Sequence, residues 1–208
     1  MSIEKYRKKR HKAKKLPPLK NHLSPSLSSS VYKEFANTLG KKKIKDNLLI
    51  WEPFASPRGN SFHYFWGTGV RIVAQTLGSI HPDILNGDST VVGPPKLDKL
   101  FDGVIFHPPY FGSAAQSDCS LDLSIVRSED EYRRKIDQAA RLSVERLGVG
   151  GKVCAVGRRY RFDGKEIKLD EWMIESFEGF KVSDVWISEP DVIIIMERKK
   201  RWSLGLEF

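Results

Sequence analysis

The amino-acid sequence predicts an α/β fold, with an open, mostly parallel sheet, helices on both of its faces and an antiparallel hairpin at its C-terminal end. Three observations lead to this prediction. Short apolar runs alternate with stretches of helical periodicity, as in sheets whose parallel strands are connected by helices. Polar clusters follow several of these runs, which is where such sheets bind ligands. Two late apolar runs lie too close together for a crossover connection.

The first half of the chain contains one predicted helix and two predicted strands. Residues 31–39 carry apolar side chains at helical spacing and end before Gly40, which is a plausible helix stop. The apolar run at 48–51 predicts a buried strand that enters a loop at Glu52. Residues 70–74 are a weaker strand candidate.

The second half begins with a predicted crossover unit. The strand predicted over 102–107 stops at a double proline, which cannot donate to a sheet ladder. A capping box that begins at Ser128 opens a helix that runs to residue 147. A further buried strand is predicted over 152–157. The strand, the helix and the second strand together predict a parallel crossover unit over 102–157.

The last elements are a short helix and a hairpin. A helix is predicted over 170–177, before Gly179. Two strands, at 180–187 and 191–197, are separated only by a turn at Glu189-Pro190. Strands this close in sequence pair as an antiparallel hairpin.

The positive charge is concentrated at the N-terminus. The net charge is +9, and residues 1–20 account for +8 of it, with nine Lys and Arg against one Glu. A segment this basic predicts a disordered tail at 1–20, followed by one domain at 21–208. The tail, with Lys8, Lys9 and Arg10, is a candidate contact for nucleic-acid phosphates. A solubilising or localisation tail remains the alternative.

The remaining composition favours one intracellular domain. The chain has 208 residues, of which 40% are hydrophobic, enough to bury a single core. No apolar run approaches the roughly 18 residues of a membrane span, and no signal-peptide core follows the basic N-terminus. The two cysteines have no metal-binding or disulfide spacing. We therefore expect a location in the cytoplasm or nucleoid, with no membrane association.

Three polar clusters follow strands and are candidates for a ligand site: 52–56, 87–89 and 107–110. The third cluster, His107-Pro108-Pro109-Tyr110, places an aromatic ring behind a rigid double proline. Such a ring can stack on a flat base, while acceptors at His107 and Pro108 take hydrogen bonds from an exocyclic amino group. A base in a duplex must be flipped out to reach such a pocket. Taken alone, the cluster also fits a structural turn.

Taken together and in this order, the clusters resemble the motifs of the S-adenosylmethionine-dependent DNA amino-methyltransferases that act on adenine N6 or cytosine N4. Residues 101–112 are similar to the catalytic motif, in which Asp, Asn or Ser precedes Pro-Pro and an aromatic residue. Residues 51–55 are similar to the Asp-Pro-Phe cofactor motif, and Gly87-Asp88 to the acidic position that contacts the cofactor's adenine. The resemblance covers about 21–198.

This resemblance implies a Rossmann-like methyltransferase fold with an antiparallel last strand, and direct methyl transfer without a metal. It assigns His107, Pro108, Pro109 and Tyr110 to the target base. It assigns Glu52, Pro53, Phe54, Ala55, Ser56 and Asp88 to S-adenosylmethionine. Alignment of the reacting atoms would be the main contribution of the protein.

The sequence departs from the family pattern at three places. His107 replaces the usual Asp, Asn or Ser, although a neutral imidazole also accepts a hydrogen bond. Residues 55–59 lack the Gly-x-Gly turn, and no acidic residue lies between Glu52 and Asp83. DNA is favoured as the substrate, with an RNA methyltransferase and a catalytically silent nucleic-acid-binding subunit as alternatives. A homodimer or a specificity partner remains open.

Several other residues admit two interpretations. Arg158 and Arg159 follow the strand at 152–157 and are either phosphate contacts or solvated loop charges. Residues 66–69 are either a displaced cofactor loop or, more simply, a turn. Asp118 and Asp122 either position substrate or form turns.

Overall fold

The computed structural model describes residues 3–15, 27, 29–39, 48–57, 59–78, 81–113 and 120–198. The helices of this part of the chain are α1 (Ile3–His11), α2 (Ser29–Thr38), α3 (Asn60–Phe65), α4 (Glu129–Val144) and α5 (Leu169–Ser176), and a 3₁₀ turn spans Leu123–Ile125. Its strands are β1 (Lys14–Lys15), β2 (Leu49–Glu52), β3 (Arg71–Thr76), β4 (Ile84–Asn86), β5 (Phe101–Phe106), β6 (Leu147–Gly157), β7 (Arg159–Phe162), β8 (Lys165–Lys168), β9 (Phe180–Ser188) and β10 (Asp191–Arg198).

Eight strands form one sheet in the order β1-β9-β10-β6-β5-β2-β3-β4. Strand β10 is antiparallel to both of its neighbours, β6 and β9, whereas every other neighbouring pair is parallel. Strands β7 and β8 form a separate antiparallel hairpin. The predicted α/β fold, with a mostly parallel sheet and a C-terminal hairpin, is confirmed.

Helices cover the sheet on both faces because the central strands are apolar on both sides. In β6, Val153 and Ala155 pack in the cluster that contains α4 and α5. The intervening Cys154 and Val156 pack in the cluster that contains α2 and α3. Buried parallel strands have this continuous apolar character. In β5, Gly103 lets α2 approach closely, because a Cβ there would lie 2.9 Å from the Phe35 ring.

Most predicted elements are present within one or two residues of the predicted bounds. The elements that the sequence did not predict are α1, α3, β1, β4, β7 and β8. Three-residue β4 and six-residue α3 are too short to show a periodic pattern. The strands β7 and β8 have four residues each and contain mostly charged side chains, so neither shows the apolar run of a core strand.

Residues 3–15 differ from the disordered tail that their charge predicts. They form α1 and β1, and β1 pairs in parallel with β9 at Trp186 and Ile187. The side chain of Tyr6 is completely buried, and its hydroxyl donates to Oδ2 of Asp170 at 2.7 Å. The prediction of disorder is therefore wrong for this segment, whose single aromatic residue is anchored in the core.

Two buried carboxylates compensate the positive charge of α1. Arg7 donates two hydrogen bonds of 2.8 Å to Glu171, and the guanidinium of Arg10 lies 3.7 Å from Asp170. Arg159 also contacts both carboxylates. Bidentate pairs of this kind are stronger and more directional than simple ion pairs. The opposite charges lie about 165 residues away in sequence, so local charge counting could not reveal them.

The division into segments 1–20 and 21–208 stays a prediction, because residues 16–20 lie outside the described part. None of the helices in the described ranges is long and apolar enough to cross a lipid bilayer.

Candidate active site

A cleft of about 740 Å³, including its open mouth, lies where the carboxyl ends of β2, β3, β4 and β5 meet. The cleft brings together all three clusters that the sequence singled out. Its lining consists of residues 53–57 after β2, Thr76 and Leu77 at the end of β3, residues 87–89 after β4, residues 107–110 after β5, and residues 121–123.

The loop after β2 is tied to its neighbours by a short chain of hydrogen bonds. The amide of Ala55 donates to the carbonyl of Gln75 at 3.0 Å. The side chain of Gln75 donates to the hydroxyl of Ser89 at 3.1 Å, and this hydroxyl donates to the carbonyl of Pro53. These bonds join the loops at 53–57 and 87–89 to each other and to the end of β3.

A glycine does supply a turn in the first loop, but later than the family pattern places it. Gly59 has a φ of +69° and directly precedes α3. A Cβ at this position would lie 2.8 Å from the ring of His81, so both conformation and space favour glycine. The absence of Gly-x-Gly at 55–57 therefore does not remove the left-handed turn that leads into the helix.

Asp88 is held in place by Thr90. Its Oδ1 atom accepts from the Thr90 amide at 2.8 Å and from the Thr90 hydroxyl at 2.7 Å. Among the described residues, no hydrogen bond is made to its second oxygen, Oδ2. An acceptor of this kind at the edge of the cleft suits an amino group such as that of adenine.

Glu52 is the exception among the residues assigned to the cofactor, because it does not line the cleft. Its side chain is only 3% exposed and faces α2, where the Tyr32 hydroxyl donates to Oε1 at 3.4 Å. Oε2 has no hydrogen-bond partner among the described residues. Burial raises the pKa of Glu52 to about 7. Its position does not support direct contact with a ligand in the cleft, and its assigned cofactor role gains no support from the structure.

The raised pKa predicts a pH-dependent stability. The unfolded chain ionises this carboxyl near 4.5, whereas the folded protein does so only near 7. Stability is therefore lost as pH rises between these values, by about 3 kcal/mol at most. Glu52→Gln keeps the acceptor for Tyr32 and should remove this loss. Urea unfolding at pH 5 and pH 8 measures the difference, with exposed Glu178→Gln as a control. Equal pH dependence in Glu52→Gln and the parent would contradict the raised pKa.

The loop that contains residues 107–110 is fixed by aromatic side chains from other elements. The Tyr132 hydroxyl, on α4, donates to the carbonyl of Pro109 at 2.7 Å. The Tyr160 hydroxyl, on β7, donates to the carbonyl of Phe111 at 2.9 Å. These bonds use the carbonyls of Pro109 and Phe111. The two acceptors that the sequence interpretation names, the side chain of His107 and the carbonyl of Pro108, are not used by these two bonds.

His107 and Tyr110 belong to a hydrogen-bonded network with Asp191, the first residue of β10, and Arg158, which lies between β6 and β7. His107 Nε2 lies 3.2 Å from the Tyr110 hydroxyl, which donates to Asp191 Oδ1 at 2.7 Å. Arg158 Nε donates to the same carboxylate oxygen at 3.0 Å. The Arg158 guanidinium also lies over the Tyr110 ring, 4.4 Å from its centre. Arg158 thus covers part of the π-surface that the sequence interpretation reserved for a base.

Burial sets the protonation of this network. It lowers the pKa of His107 below the ordinary 6.5, with Asp191 opposing the shift and Arg158 adding to it. Burial likewise raises the pKa of Tyr110. At neutral pH His107 is therefore an uncharged imidazole, and such a ring has one nitrogen that donates and one that accepts.

Some residues of the site were missed or assigned only in part. The sequence interpretation treated Asp191 only as the first residue of the last strand and gave no role to Thr76 or Leu77, which line the cleft. Asp122 also lines the cleft, and its Oδ1 accepts from the Ser124 amide at 2.9 Å, so the turn interpretation holds for it. Asp118 lies outside the described residues.

The cations assigned to nucleic acid mostly contact the protein itself. Lys8 is 77% exposed and pairs with Glu4 at 3.1 Å. Lys9 donates to the carbonyls of Val182 and Ser183. The contacts of Arg10, Arg158 and Arg159 with carboxylates are given above. Their assignment to phosphate stays a prediction.

Residues 66–69 form a turn after α3 and are not part of the cleft lining. This agrees with the simpler of the two interpretations.

Comparison with known proteins identifies the fold. No protein-family model matches the sequence, and no curated protein matches it significantly. Solved structures do match. TrmN from Thermus thermophilus superposes with a TM-score of 0.55 at 12% identity, over 85% of this chain and 51% of TrmN. A TehB-like S-adenosylmethionine-dependent methyltransferase from Corynebacterium glutamicum gives 0.51 at 12% identity, over 95% and 96%.

A third match is the glycopeptide N-methyltransferase MtfA in complex with S-adenosylmethionine, with a TM-score of 0.50 at 14% identity, over 88% of this chain and 100% of MtfA. The chain has the methyltransferase fold. It spans about half the length of TrmN but nearly all of the other two. At these identities the likeness identifies the architecture and leaves the substrate open.

Proposed function

We propose that this chain is an S-adenosylmethionine-dependent enzyme that methylates the exocyclic amino group of a base in DNA, either adenine N6 or cytosine N4. One observation carries the proposal. The loop 107–110 shares a single cleft with 53–57 and 87–89, at the carboxyl ends of parallel strands in a methyltransferase fold. Ligands of open α/β sheets bind at this edge.

The lining of the cleft fits the cofactor. Pro53, Phe54, Ala55 and Ser56 offer backbone and apolar contacts for its methionine part, and Asp88 Oδ2 offers an acceptor for the adenine amino group. At the end of β3, Thr76 also lines the cleft and offers a hydroxyl group for the ribose. When bound, S-adenosylmethionine supplies an activated methyl group. The similarity to MtfA, which was solved with this cofactor, supports the assignment.

The opposite side of the cleft fits an amino-bearing base. His107 and the Pro108 carbonyl accept hydrogen bonds from the amino group and orient its lone pair. The exposed part of the Tyr110 ring forms a wall against which the base can stack. Alignment of nitrogen, methyl carbon and sulfur, together with exclusion of water, is the contribution of the protein to the rate.

Two alternatives from the sequence remain as rival proposals. An RNA methyltransferase would use the same cleft without base flipping from a duplex. A catalytically silent subunit would have the methyltransferase fold and bind nucleic acid, but it would not transfer a methyl group. The open cleft, the left-handed turn at Gly59 and the neutral His107 favour an active enzyme over the silent subunit.

Product analysis tests the proposal. The full chain is incubated with methyl-labelled S-adenosylmethionine and with single-stranded DNA, duplex DNA or RNA, and the polymer is digested to nucleosides. We expect the label in N6-methyldeoxyadenosine or N4-methyldeoxycytidine. Label only in ribonucleosides would overturn the DNA assignment, and cofactor binding without transfer to either polymer would favour the silent subunit.

Exposed lysines of the N-terminal segment are proposed to contact phosphate. Lys8, Lys12 and Lys15 are exposed, so a triple change to Gln should preserve the fold. It should reduce the slope of log Kd against log salt by about 3 for duplex DNA, because about 0.9 counterions are released per phosphate contact. Lys181→Gln, at the amino end of β9, is the control. A salt slope that is unchanged in the triple variant would exclude this surface.

A further inference from the structure

Asp191 is linked to His107 through one hydroxyl group. The Tyr110 hydroxyl lies between the two side chains, 2.7 Å from Asp191 Oδ1 and 3.2 Å from His107 Nε2. Asp191 is 81 residues from Tyr110 in sequence and begins the strand antiparallel to β6. The hairpin of β9 and β10 therefore brings a carboxylate that is distant in sequence to the loop at 107–110.

The number of hydrogens fixes the direction of these bonds. A tyrosine hydroxyl carries one hydrogen and can donate it only once. The carboxylate is charged and closer, so it is the stronger acceptor and takes this hydrogen. The Tyr110 oxygen must then accept from His107, which requires a hydrogen on Nε2. A neutral imidazole with hydrogen on Nε2 has its lone pair on Nδ1.

We infer that Asp191 is a positioning residue that acts through Tyr110 to fix His107 in the tautomer with Nε2 protonated and Nδ1 bare. Nδ1 is then the acceptor for the amino group of the target base. This role rests on the proposed function, whereas the tautomer itself does not. Asp, Asn and Ser at the same place in the family motif have no ring tautomer to select, so the requirement arises because this chain has histidine.

Arg158 completes the arrangement. Its Nε donates to Asp191 Oδ1 at 3.0 Å, which holds this oxygen where it accepts the Tyr110 hydrogen. Its guanidinium, 4.4 Å from the ring centre, also packs on Tyr110 and limits movement of the ring. Arg158 is thus proposed to support the hydrogen bonds that link Asp191, Tyr110 and His107, rather than to contact phosphate.

A double-mutant cycle tests whether Asp191 acts through His107. In the parent, Asp191→Asn should lower kcat roughly tenfold or more, since an aspartate that fixes a histidine tautomer has a large effect in serine hydrolases. In a His107→Asn background, which has no tautomer to select, the same change should cost little. The matched control is exposed Asp163→Asn, at a turn with positive φ that asparagine tolerates. Equal losses in both backgrounds would show a merely structural role for Asp191.

Nitrogen-15 NMR of the histidines tests the tautomer without any assay of activity. The His107 signals are identified by their loss in His107→Asn. In the parent we expect a protonated Nε2 and a bare Nδ1, and in Asp191→Asn a shift of both nitrogens toward a mixture of tautomers. A protonated Nδ1 in the parent, or unchanged shifts in Asp191→Asn, would overturn the inference. A protein with the expected tautomer but no transferase activity would overturn only the proposed function.

Discussion

Replacing His107 with alanine is expected to lower kcat about 100-fold or more, because the amino group of the base then has no side-chain acceptor as the new bond forms. Binding of S-adenosylmethionine should be unchanged, since the residues proposed to hold the cofactor, at 53–56 and 88, do not include His107. Methyl transfer under single-turnover conditions, with saturating nucleic acid, measures the change. His107→Asn should retain much of the rate, because asparagine still offers an oxygen acceptor.

The same residue predicts the pH dependence of the reaction. Only the neutral imidazole accepts a hydrogen bond, and burial lowers the pKa of His107 from 6.5. Activity of the parent should therefore decrease as the pH falls, with an apparent pKa below 6.5. An exposed histidine would give this decrease at a higher pH. The acid limb should be absent in His107→Asn. An identical acid limb in both proteins would show that His107 is not the titrating acceptor.

Replacing Tyr6 with alanine is expected to lower the free energy of unfolding by about 3–5 kcal/mol, as for other buried aromatic residues. The ring is fully buried, and its hydroxyl bonds to Asp170, which is itself completely buried. The loss thus combines a cavity with one hydrogen bond lost by the buried carboxylate, whose Oδ2 still accepts from Arg159 Nε at 3.2 Å. Urea unfolding followed by tryptophan fluorescence measures it.

Two variants control this experiment. Tyr6→Phe removes only the hydroxyl and should cost about 1–3 kcal/mol. Lys8→Ala, at an exposed position of the same helix, should change stability by less than about 0.5 kcal/mol. If Tyr6→Ala were as stable as Lys8→Ala, α1 would not be anchored on the domain, and the tail interpretation from the charge pattern would stand.

The fold could be predicted from the sequence wherever burial leaves a local signature. Strands β2, β5 and β6 are buried on both sides, and they therefore stand out as apolar runs between loops. Strand β4 has only three residues, too few for a pattern. Helix α1 was missed for a different reason, since its stabilising carboxylates are distant in sequence and its own charge suggests repulsion.

In the candidate site, too, the residues with a local sequence motif could be predicted, whereas those that depend on distant contacts could not. The loop at 107–110 was found because a double proline and an aromatic residue form a local motif. Asp191 was missed because its role depends on a contact across 81 residues. Glu52 was assigned to the cofactor by motif alone, yet it follows Leu48 and Ile50 on the strand face that packs against α2. The two-residue period of β2 was the signal that would have placed it correctly.

Calorimetric titration with S-adenosylmethionine and its demethylated product is the most direct test of the central claim, that this cleft is a methyltransferase cofactor site. We expect one bound molecule per chain. Asp88→Asn keeps the Oδ1 atom that Thr90 holds but replaces Oδ2 with a donor, so it should weaken binding at least tenfold, about 1.4 kcal/mol. Exposed Asp98→Asn, outside the cleft, should bind like the parent. No binding of either compound to the parent, or equal binding by Asp88→Asn and the parent, would contradict the account.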